Sequence, residues 1–369
     1  MTDGMDALPF GSSVKSAKVL VQQKTQQMRS VHMNKGNTVA VDLAKSVFQV
    51  CILSEQNQVV KSLRLSRPKF KEFLTTYEPP QVFMEACYSS HYWGRYAQQA
   101  GHHVGLIPAQ HVTPFVRGNK NDRNDALAIA EAARRPGMRM VPVKSESQQD
   151  IQVLHRIRER CVATRTGLMN QMRGLLADYG YSFPEGIEAL AVKLREAMED
   201  PALSAIIRKE IEHTLVEYDS LSRRLEHLRK VLADYAAKNE ECQYLQTIPG
   251  IGPHIASAIM STIGKGQAFA RARDFAVWTG LTPIQKASGH KSTMAGISKR
   301  GNRYLRKLFV QAARHTVRWA KRQSDTKLGN WINQIILRRG LQKGVVAVAH
   351  KLARISWILL QKSEAFKAA

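Results

Sequence analysis

Four carboxylates in the first third of the chain have the types and spacing of a metal-binding site. Asp42 closes the apolar run VAVD, and Glu85 closes the run VFME. If both runs are strands of one sheet, the two acids meet at neighbouring strand ends and repel each other unless a cation lies between them. Asp122 and Asp125 are spaced i, i+3, which places them on one face of a helix. We therefore expect the four acids to hold one or two Mg²⁺ or Mn²⁺ ions, an arrangement that phosphodiester chemistry uses.

Each acid also has an ordinary explanation. Asp42 could begin a turn, and Glu85 could pair with an arginine. Asp122 and Asp125 could cap a helix whose N-terminus favours negative charge. The order of the motifs favours the metal site, because two acids follow apolar strands and an i, i+3 pair follows the last strand.

A serine in a basic segment is the candidate nucleophile. Ser288 precedes a glycine within a run of cationic side chains: Lys286, His290, Lys291, Lys299 and Arg300. Nearby cations favour both a serine alkoxide and an incoming phosphate. We expect this segment to be a flexible loop. An ordinary polar loop serine is the alternative, and Ser292 and Ser298 share the same basic context.

The elements that must position the acids begin at Thr38. The runs TVAVDLA, SVFQVCIL and VVKSLRL are rich in β-branched residues and predict three strands joined by tight turns. A helix over RPKFKEFLTTYE, a strand over QVFMEA, a helix around YWGRYAQQAG and a strand over HVGLIPA follow. This β-β-β-α-β-α-β order is that of the ribonuclease-H-like nuclease fold. A further helix is expected over 122–135, where Pro136 and Gly137 end it.

Two long helical patterns follow, over Gln148–Asp178 and Pro201–Glu241. One face of the second carries an apolar stripe of Leu221, Leu225, Leu228 and Val231. The two patterns predict an antiparallel helical arm that serves as a spacer or a subunit contact, and a plain helical linker is the alternative.

The run TIPGIGPHIASAIMSTIG from Thr247 has the form of a helix-hairpin-helix element. In that element a glycine-rich turn, here Gly250 and Gly252, exposes backbone N–H groups at a helix N-terminus to a DNA phosphate. A glycine turn between two packed helices is the alternative.

The charge of the chain favours a nucleic-acid partner. Its net charge is +25 and its pI is about 10.1. Such a charge implies an acidic partner, nucleic acid first and an anionic membrane second. From Lys286 to the end, 19 Lys and Arg stand against Asp325 and Glu364, a net charge of +17. A solvated basic face is the alternative, but like charges repel unless a polyanion neutralises them.

Other compartments and chemistries are disfavoured. No apolar run reaches the ~18 residues of a membrane span, and the start of the chain lacks a signal peptide's apolar stretch, so we expect a cytoplasmic protein without a membrane partner. The four cysteines form no Cys-x-x-Cys pair, which argues against zinc and disulfides. Residues 1–36 are polar and aperiodic, so we expect a disordered arm there.

An ordered set of motifs runs along the chain: VAVDLAK, VFMEACY, NKNDRNDA, IPGIG, GLTP, SG and ISKRGNRYLR. This set resembles that of the DEDD-type transposases of insertion-sequence family one-ten, with its eleven-eleven subgroup, and of the related pilin-gene invertases. The resemblance runs from about Thr38 into the C-terminal region. It implies a RuvC-like domain with the acid tetrad Asp42, Glu85, Asp122 and Asp125, and a C-terminal domain with the nucleophile Ser288. It also implies homodimers that pair into tetramers, and a bridge RNA that pairs with donor and target DNA in the bacterial nucleoid.

We therefore expect an α/β plus α protein. Its parts are a disordered arm over 1–36, a RuvC-like domain over 37–145, a helical coiled-coil arm over 146–243 and a mostly helical C-terminal domain over 244–369. Nucleic acid is expected to bind at a set of turn and basic residues: Gly250, Gly252, Lys286, Lys291, Lys299, Arg300, Arg303 and Arg306.

The expected activity is that of a transposase or site-specific recombinase. Ser288 attacks the scissile phosphate to give a phosphoserine, and strand exchange and re-ligation follow without ATP, in keeping with the lack of a G-x-x-x-x-G-K-[ST] motif. The alternatives are a metal-dependent nuclease or resolvase that uses water, a DNA invertase, and a nucleic-acid-binding protein without chemistry.

Overall fold

The computed structural model describes residues 38–56, 58–77, 81–116, 121–288 and 291–367. The predicted disordered arm over 1–36 lies outside these residues. Contacts divide the chain into two compact units, Met1–Lys144 and Ser145–Ala369, here termed unit 1 and unit 2. The division of unit 2 at residue 243 stays a prediction. No described helix is long and apolar enough to cross a membrane.

Unit 1 is a five-stranded sheet with helices on both faces. The predicted order of three strands, helix, strand, helix and strand is confirmed. The strands are β1 (Thr38–Leu43), β2 (Val47–Leu53), β3 (Val59–Ser66), β4 (Gln81–Glu85) and β5 (His103–Ile107). The helices are α1 (Arg67–Thr76), α2 (Ser90–Gln99), α3 (Ala109–Val112) and α4 (Asp122–Ala133), and a 3-10 turn over Thr113–Phe115 follows α3.

The sheet has the spatial order β3-β2-β1-β4-β5. β1, β2 and β3 form an antiparallel meander, whereas β4 is parallel to β1 and β5 is parallel to β4. Nearly every side chain of the central strand β1 is buried, rather than every second one. That pattern is expected for a strand whose two faces are both covered by helices.

One face of the sheet packs on α1 and α2 through an aromatic cluster. Phe48, Phe70 and Trp93 are all fully buried, and their ring centroids lie 5.0–5.1 Å apart in edge-to-face contacts. Edge-to-face geometry places the positive edge of one ring on the negative face of the next, which stabilises the pairs beyond their buried area. The opposite face packs on α4 through Ala126, Ala128, Ala130 and Ala132, small side chains that let the helix approach the strands closely.

Unit 2 begins with a long antiparallel helix pair, α5 (Glu146–Ala177) and α7 (Ala205–Lys238). Each helix is roughly 50 Å long. Late residues of α5 meet early residues of α7, since Thr214 contacts Met172 and Arg165 contacts Ser222. The predicted stripe on α7 is the packed side: Leu228 is buried, and Leu221, Leu225 and Val231 are half-buried.

The predicted bounds of the second arm helix were too wide. Ser204 is the N-cap of α7 and accepts from the Ile207 N–H, so Pro201 lies outside the helix. At the other end the Asn239 side chain accepts from the Cys242 N–H and caps the next helix, so Glu241 belongs to that helix and not to α7. An unpredicted helix, α6 (Ile187–Ala197), lies between the two arm helices and buries Leu190 and Leu194 in their apolar cluster.

The remaining helices of unit 2 share one apolar core. They are α8 (Glu240–Gln246), α9 (Pro253–Ile263), α10 (Ala272–Trp278), α11 (Arg303–Arg322), α12 (Lys327–Arg339) and α13 (Leu341–Lys362). A two-stranded hairpin of β6 (Pro283–Ser288) and β7 (Lys291–Ile297) connects α10 to α11. α11 is strongly amphipathic: Leu305, Phe309 and Ala313 are buried, whereas Arg303, Arg314 and Lys321 are exposed. Much of the positive charge predicted to face a polyanion therefore lies on the outer side of a packed helix.

Trp93→Ala is expected to lower the free energy of unfolding by about 3–5 kcal/mol, because it leaves a cavity where Phe48 and Phe70 lose a common partner. Urea unfolding followed by circular dichroism measures the change. Tyr88→Ala is the matched control, since Tyr88 is 72% exposed, and it should change stability by less than about 0.5 kcal/mol. Equal effects of the two variants would show that the cluster does not stabilise the unit.

Candidate functional site

The pairing of β1 with β4 brings two of the predicted acids to adjacent positions. The parallel register sets Val41 opposite Met84, so the next residues along the two strands are Asp42 and Glu85. Each acid lies two residues beyond a residue that packs under α4, Ala40 in β1 and Phe83 in β4, so both acids belong to that face of the sheet. Since neighbouring strands lie about 4.8 Å apart, the two carboxylates occupy the same level and the same face of the sheet. Both side chains are half-buried.

Helix α4 brings the acid pair of its first turn to the same end of the sheet. Arg134, just after α4, donates to Oγ1 of Thr38 at 3.3 Å and to the carbonyl of Ser54 at 2.9 Å, so the helix ends near the start of β1. Measured from Arg134, Asp125 lies about 13 Å back along the helix axis. Measured from Thr38, Asp42 lies about 13 Å along β1. The two acids are therefore close to level with each other.

The capping alternative for the α4 acids holds in part. Asn121 is the N-cap, and its side-chain oxygen accepts from the Asn124 N–H at 2.8 Å. Asp122 and Asp125 are the first and fourth residues of the helix, so neither is the capping residue, but both lie in the first turn, where the helix N-terminus favours negative charge. Asp125 shares its face with buried Ile129 and is half-buried, whereas Asp122 is exposed.

The acids have the chemistry of a divalent metal site without forming a closed cluster. Among the described residues, no group of three or more His, Cys, Asp or Glu side chains is placed to hold a metal ion. The structure thus brings Asp42, Glu85 and Asp125 to one end of the sheet but does not bring four carboxylates into ligand contact. The donor set fits Mg²⁺ or Mn²⁺, because every member offers hard carboxylate oxygens on neighbouring elements.

Ser288 lies in a β-hairpin, so the prediction of a flexible loop was wrong. It is the last residue of β6 and pairs with Lys291 at the start of β7. The alternation of small and polar residues from Pro283 to Ile297 allows two short strands, and cross-strand hydrogen bonds then order the segment. His290, which was expected to flank the serine, lies outside the described residues.

The register of the hairpin separates the candidate serines. Ser288 and Lys286 share one face of β6, and in register they pair with Lys291 and Thr293 of β7. Ser292 lies opposite Ala287 on the other face, where its hydroxyl accepts from the Gln285 amide at 3.0 Å. Every residue of β6 is exposed. Of these two serines, Ser288 is therefore the one that shares its face with Lys286 and pairs in register with Lys291.

The base of the hairpin is fixed by backbone contacts. The N–H groups of Ser298 and Lys299 donate to the carbonyls of Thr282 and Gly280, at 2.9 and 3.2 Å. Gly301 has φ +84° and lies so close to the Trp278 carbonyl that an added Cβ would sit 1.9 Å from its oxygen. Lys299 has φ +54°, a left-handed conformation that costs free energy in a non-glycine residue.

The predicted nucleic-acid residues at this base play different parts. Lys299, Arg300 and Arg303 are exposed. Arg306 is half-buried, and its guanidinium donates to the carbonyls of Thr279 at 3.0 Å and Arg300 at 3.4 Å. Arg306 thus helps to hold the loop that carries the exposed cations. The side chain of Lys291 lies outside the described residues.

Of the two glycines of the predicted helix-hairpin-helix turn, one is packed against a neighbouring helix and the other is exposed. Gly250 has φ +86° and packs against α11, where an added Cβ would lie 2.5 Å from the Ala312 carbonyl oxygen. The Thr316 hydroxyl donates to the Pro249 carbonyl at 2.7 Å and fastens the turn to that helix. Gly252 is exposed at the N-cap of α9. Gly250 therefore meets a packing requirement, and Gly252 is the accessible end of the turn.

Sequence reasoning missed a buried hydrogen-bonded ring between α5, α9 and α11. The Ser257 hydroxyl donates to the His254 carbonyl at 3.1 Å, so Nε2–H of His155 must donate to the Ser257 oxygen, also at 3.1 Å. Nδ1 of His155 then accepts from the Tyr304 hydroxyl at 2.9 Å, and Nε2 of His254 lies 3.1 Å from the same hydroxyl oxygen and 3.5 Å from the Arg158 guanidinium. Isolated histidines at these spacings carry no sequence signal, because the ring forms only when three distant helices pack.

Two family models match the chain. One described as Transposase IS116/IS110/IS902 family covers residues 242–328, and one of the DEDD type, described as Transposase, covers residues 39–181. A probable family 20 transposase of Pseudomonas aeruginosa is 38% identical over 332 residues, which are 89% of this chain and 98% of that protein. The transposase for insertion sequence element IS1111A of Coxiella burnetii is 38% identical over 331 residues, 89% and 91% of the two chains.

The chain belongs to the IS110 family of transposases. It is thus an enzyme of DNA recombination, as the resemblance implied. A more distant relative of this transposase, the pilin gene-inverting protein of Moraxella bovis, is 21% identical over 351 residues, 89% of this chain and 97% of that protein.

Both ring histidines of the transposase are neutral at physiological pH. Burial, with the nearby Arg158 charge, lowers the pKa of His155 to about 4. The pKa of His254 falls to about 3 through burial and through Arg158, whose guanidinium lies 3.5 Å from its Nε2. Burial also raises the pKa of Tyr304 above its ordinary value, so its hydroxyl stays protonated.

The stability of the transposase is expected to fall as the pH drops below about 6.5. An unfolded histidine has a pKa near 6.5, so below that pH the unfolded state gains protons that folded His155 takes up only near pH 4. His155 alone should lower the unfolding free energy by about 2 kcal/mol between pH 7 and pH 5. Urea unfolding at the two pH values measures this loss. In His155→Gln the loss should be smaller; an unchanged pH dependence would contradict the assignment.

Proposed function

We propose that this transposase cuts and rejoins DNA through a covalent bond to Ser288. The position of Ser288 in the exposed strand β6, on the same face as Lys286 and paired in register with Lys291, carries the proposal. Cations at these positions attract the scissile phosphate and favour the serine alkoxide. The Ser288 oxygen bonds to phosphorus while the bond from phosphorus to a deoxyribose oxygen breaks. The serine proton passes to solvent, and the leaving oxygen takes up a proton.

Re-ligation reverses the same exchange at a new strand end. A deoxyribose hydroxyl attacks the phosphoserine, a new phosphodiester forms, and the serine oxygen leaves. The number of phosphate ester bonds is conserved, so no nucleotide cofactor is required. The fixed base of the hairpin supports this role, because Gly280 and Gly301 hold the two strands to the helical body at close range.

We assign the metal-binding role to Asp42, Glu85, Asp122 and Asp125. Mg²⁺ or Mn²⁺ bound by these carboxylates would neutralise charge on the scissile phosphate. The parallel register of β1 with β4 and the direction of α4 support the assignment. So does the order β3-β2-β1-β4-β5, in which an antiparallel meander continues into parallel strands, as in a RuvC or ribonuclease-H-like domain.

The proposed partners are donor DNA, target DNA and a bridge RNA, bound by homodimers that pair into tetramers. The resemblance to the family implies these partners and places the acids of one subunit near the serine of another. The net charge of +17 from Lys286 onward supports nucleic-acid binding, and Gly252, Lys299, Arg300 and Arg303 are exposed. Inversion of a DNA segment is a second candidate activity, favoured by the similarity to the pilin gene-inverting protein.

Ser288→Ala is expected to abolish a denaturant-stable protein–DNA adduct. Purified protein is incubated with Mg²⁺, cognate RNA and labelled element-end DNA, and the adduct is detected after denaturing electrophoresis. Ser292→Ala is the matched control, because Ser292 lies on the other hairpin face, and it should keep the adduct. Cleavage without an adduct in the wild type would favour a nuclease that uses water, and binding without cleavage would favour a protein without chemistry.

Asp42→Asn is expected to lower strand cleavage roughly 100-fold or more, since the metal supplies several kcal/mol of transition-state stabilisation. Single-turnover cleavage at saturating Mg²⁺ measures the rate, and calorimetry measures Mg²⁺ binding. Glu55→Gln, at an exposed turn, is the control and should behave as the wild type. Wild-type cleavage by Asp42→Asn would remove this residue from the proposed site.

A further inference from the structure

A polar cavity of about 460 Å³ opens between α5, α9 and α11, within unit 2. Its volume lies in the range of about 300–1,000 Å³ that is typical of small-ligand sites. Gln152, Arg156 and Glu159 line it from α5, Thr262 from α9, and Arg303 and Lys307 from α11. None of these residues belongs to the hairpin or to the acid set, and only Arg303 was predicted to bind nucleic acid.

The wall of the cavity carries more positive than negative charge. Lys307 Nζ lies 2.8 and 2.9 Å from the two carboxylate oxygens of Glu159, so these charges neutralise each other. Arg156 and Arg303 take part in no ion pair among the described residues. Both are exposed at the rim. Two guanidinium groups without an ion-pair partner among the described residues thus border one concave space, and an anion that entered it would be attracted by both charges.

The floor of the cavity is hydrogen-bonded and neutral. His155 and Tyr304 line it, and the ring that they form with His254 and Ser257 uses their hydrogen-bonding atoms. The neutral floor adds no charge of its own, so the arginines determine what binds. Guanidinium groups prefer planar or tetrahedral oxyanions, and they bind phosphate through paired N–H donors.

We infer that this cavity binds a backbone phosphate of single-stranded nucleic acid through Arg156 and Arg303. A single strand fits better than a duplex, because unstacked nucleotides can follow a concave surface between helices, whereas regular duplex backbone stays outside it. The inference rests on the proposed function, which supplies the nucleic acid. It adds a binding site on the arm and α11 that does not include the nucleophile.

The test uses the full-length protein and labelled oligonucleotides of about 12 nucleotides, of a length comparable to single-strand binding sites. The probes are oligo-U RNA, oligo-dT and a DNA duplex of mixed sequence. Binding is measured over a series of salt concentrations. The slope of log K against log salt concentration is negative, and loss of one phosphate contact should reduce its magnitude by about 0.7 for a single strand. Arg303→Gln and Arg156→Gln should each show this change with RNA or with oligo-dT.

Two further variants sharpen the test. Arg160→Gln removes an exposed cation of the same helix that does not line the cavity, so its slope should match that of the wild type. Glu159→Gln frees Lys307 and adds one net positive charge to the wall, so it should strengthen single-strand binding. Comparison of RNA with oligo-dT identifies which strand the cavity prefers.

The inference is wrong if the cavity variants keep the wild-type slope, if Arg160→Gln has the same effect, or if only duplex binding changes. The adduct assay separates this outcome from failure of the proposed function. An adduct at Ser288 together with unchanged slopes would reject the cavity alone. A slope change without any adduct would retain the cavity and reject the serine mechanism.

Discussion

The parallel pairing of β1 with β4 is the constraint on which unit 1 depends. It sets the carboxyl side chains of Asp42 and Glu85 side by side near the end of the sheet, where both are half-buried. Hydrophobic packing on both faces holds that register: the aromatic cluster fixes one side, and the alanines of α4 fix the other. A one-residue slip would turn Asp42 toward the aromatic face, so the register decides which face of the sheet carries this acid.

Unit 2 achieves a similar precision by other means. Its hairpin is exposed and has little apolar surface of its own, so packing within the hairpin does little to hold it in place. Backbone hydrogen bonds at its base and two glycines in close contact with neighbouring carbonyls hold it instead. These contacts hold the base of the hairpin against the helical core and leave the exposed strand face available to a ligand.

Electrostatics connects the body of unit 2 with its ligands. Cations are concentrated on the outer side of α11 and around the cavity beside it, and buried histidines in the adjacent ring stay neutral because further charge there is too costly. Such a surface gains stability when a polyanion releases its own counterions on binding. The fold therefore tolerates a large positive charge by confining it to surfaces where a phosphate backbone can lie.

The sequence by itself determined the order of strands and helices in unit 1, the acids at Asp42 and Glu85, the basic end of the chain and the family, because periodicity, charge and ordered motifs are local properties. Sequence patterns were less exact at the arm, where the caps at Ser204 and Asn239 set the true helix ends. The sequence predicted that Asp42 and Glu85 end neighbouring strands, and tertiary structure supplied the parallel register that sets them side by side. Tertiary structure alone decided that Ser288 rather than Ser292 shares a face with Lys286, and that His155 meets Tyr304. The first of these facts depends on strand register and the second on a contact between residues 149 positions apart, and no local pattern encodes either.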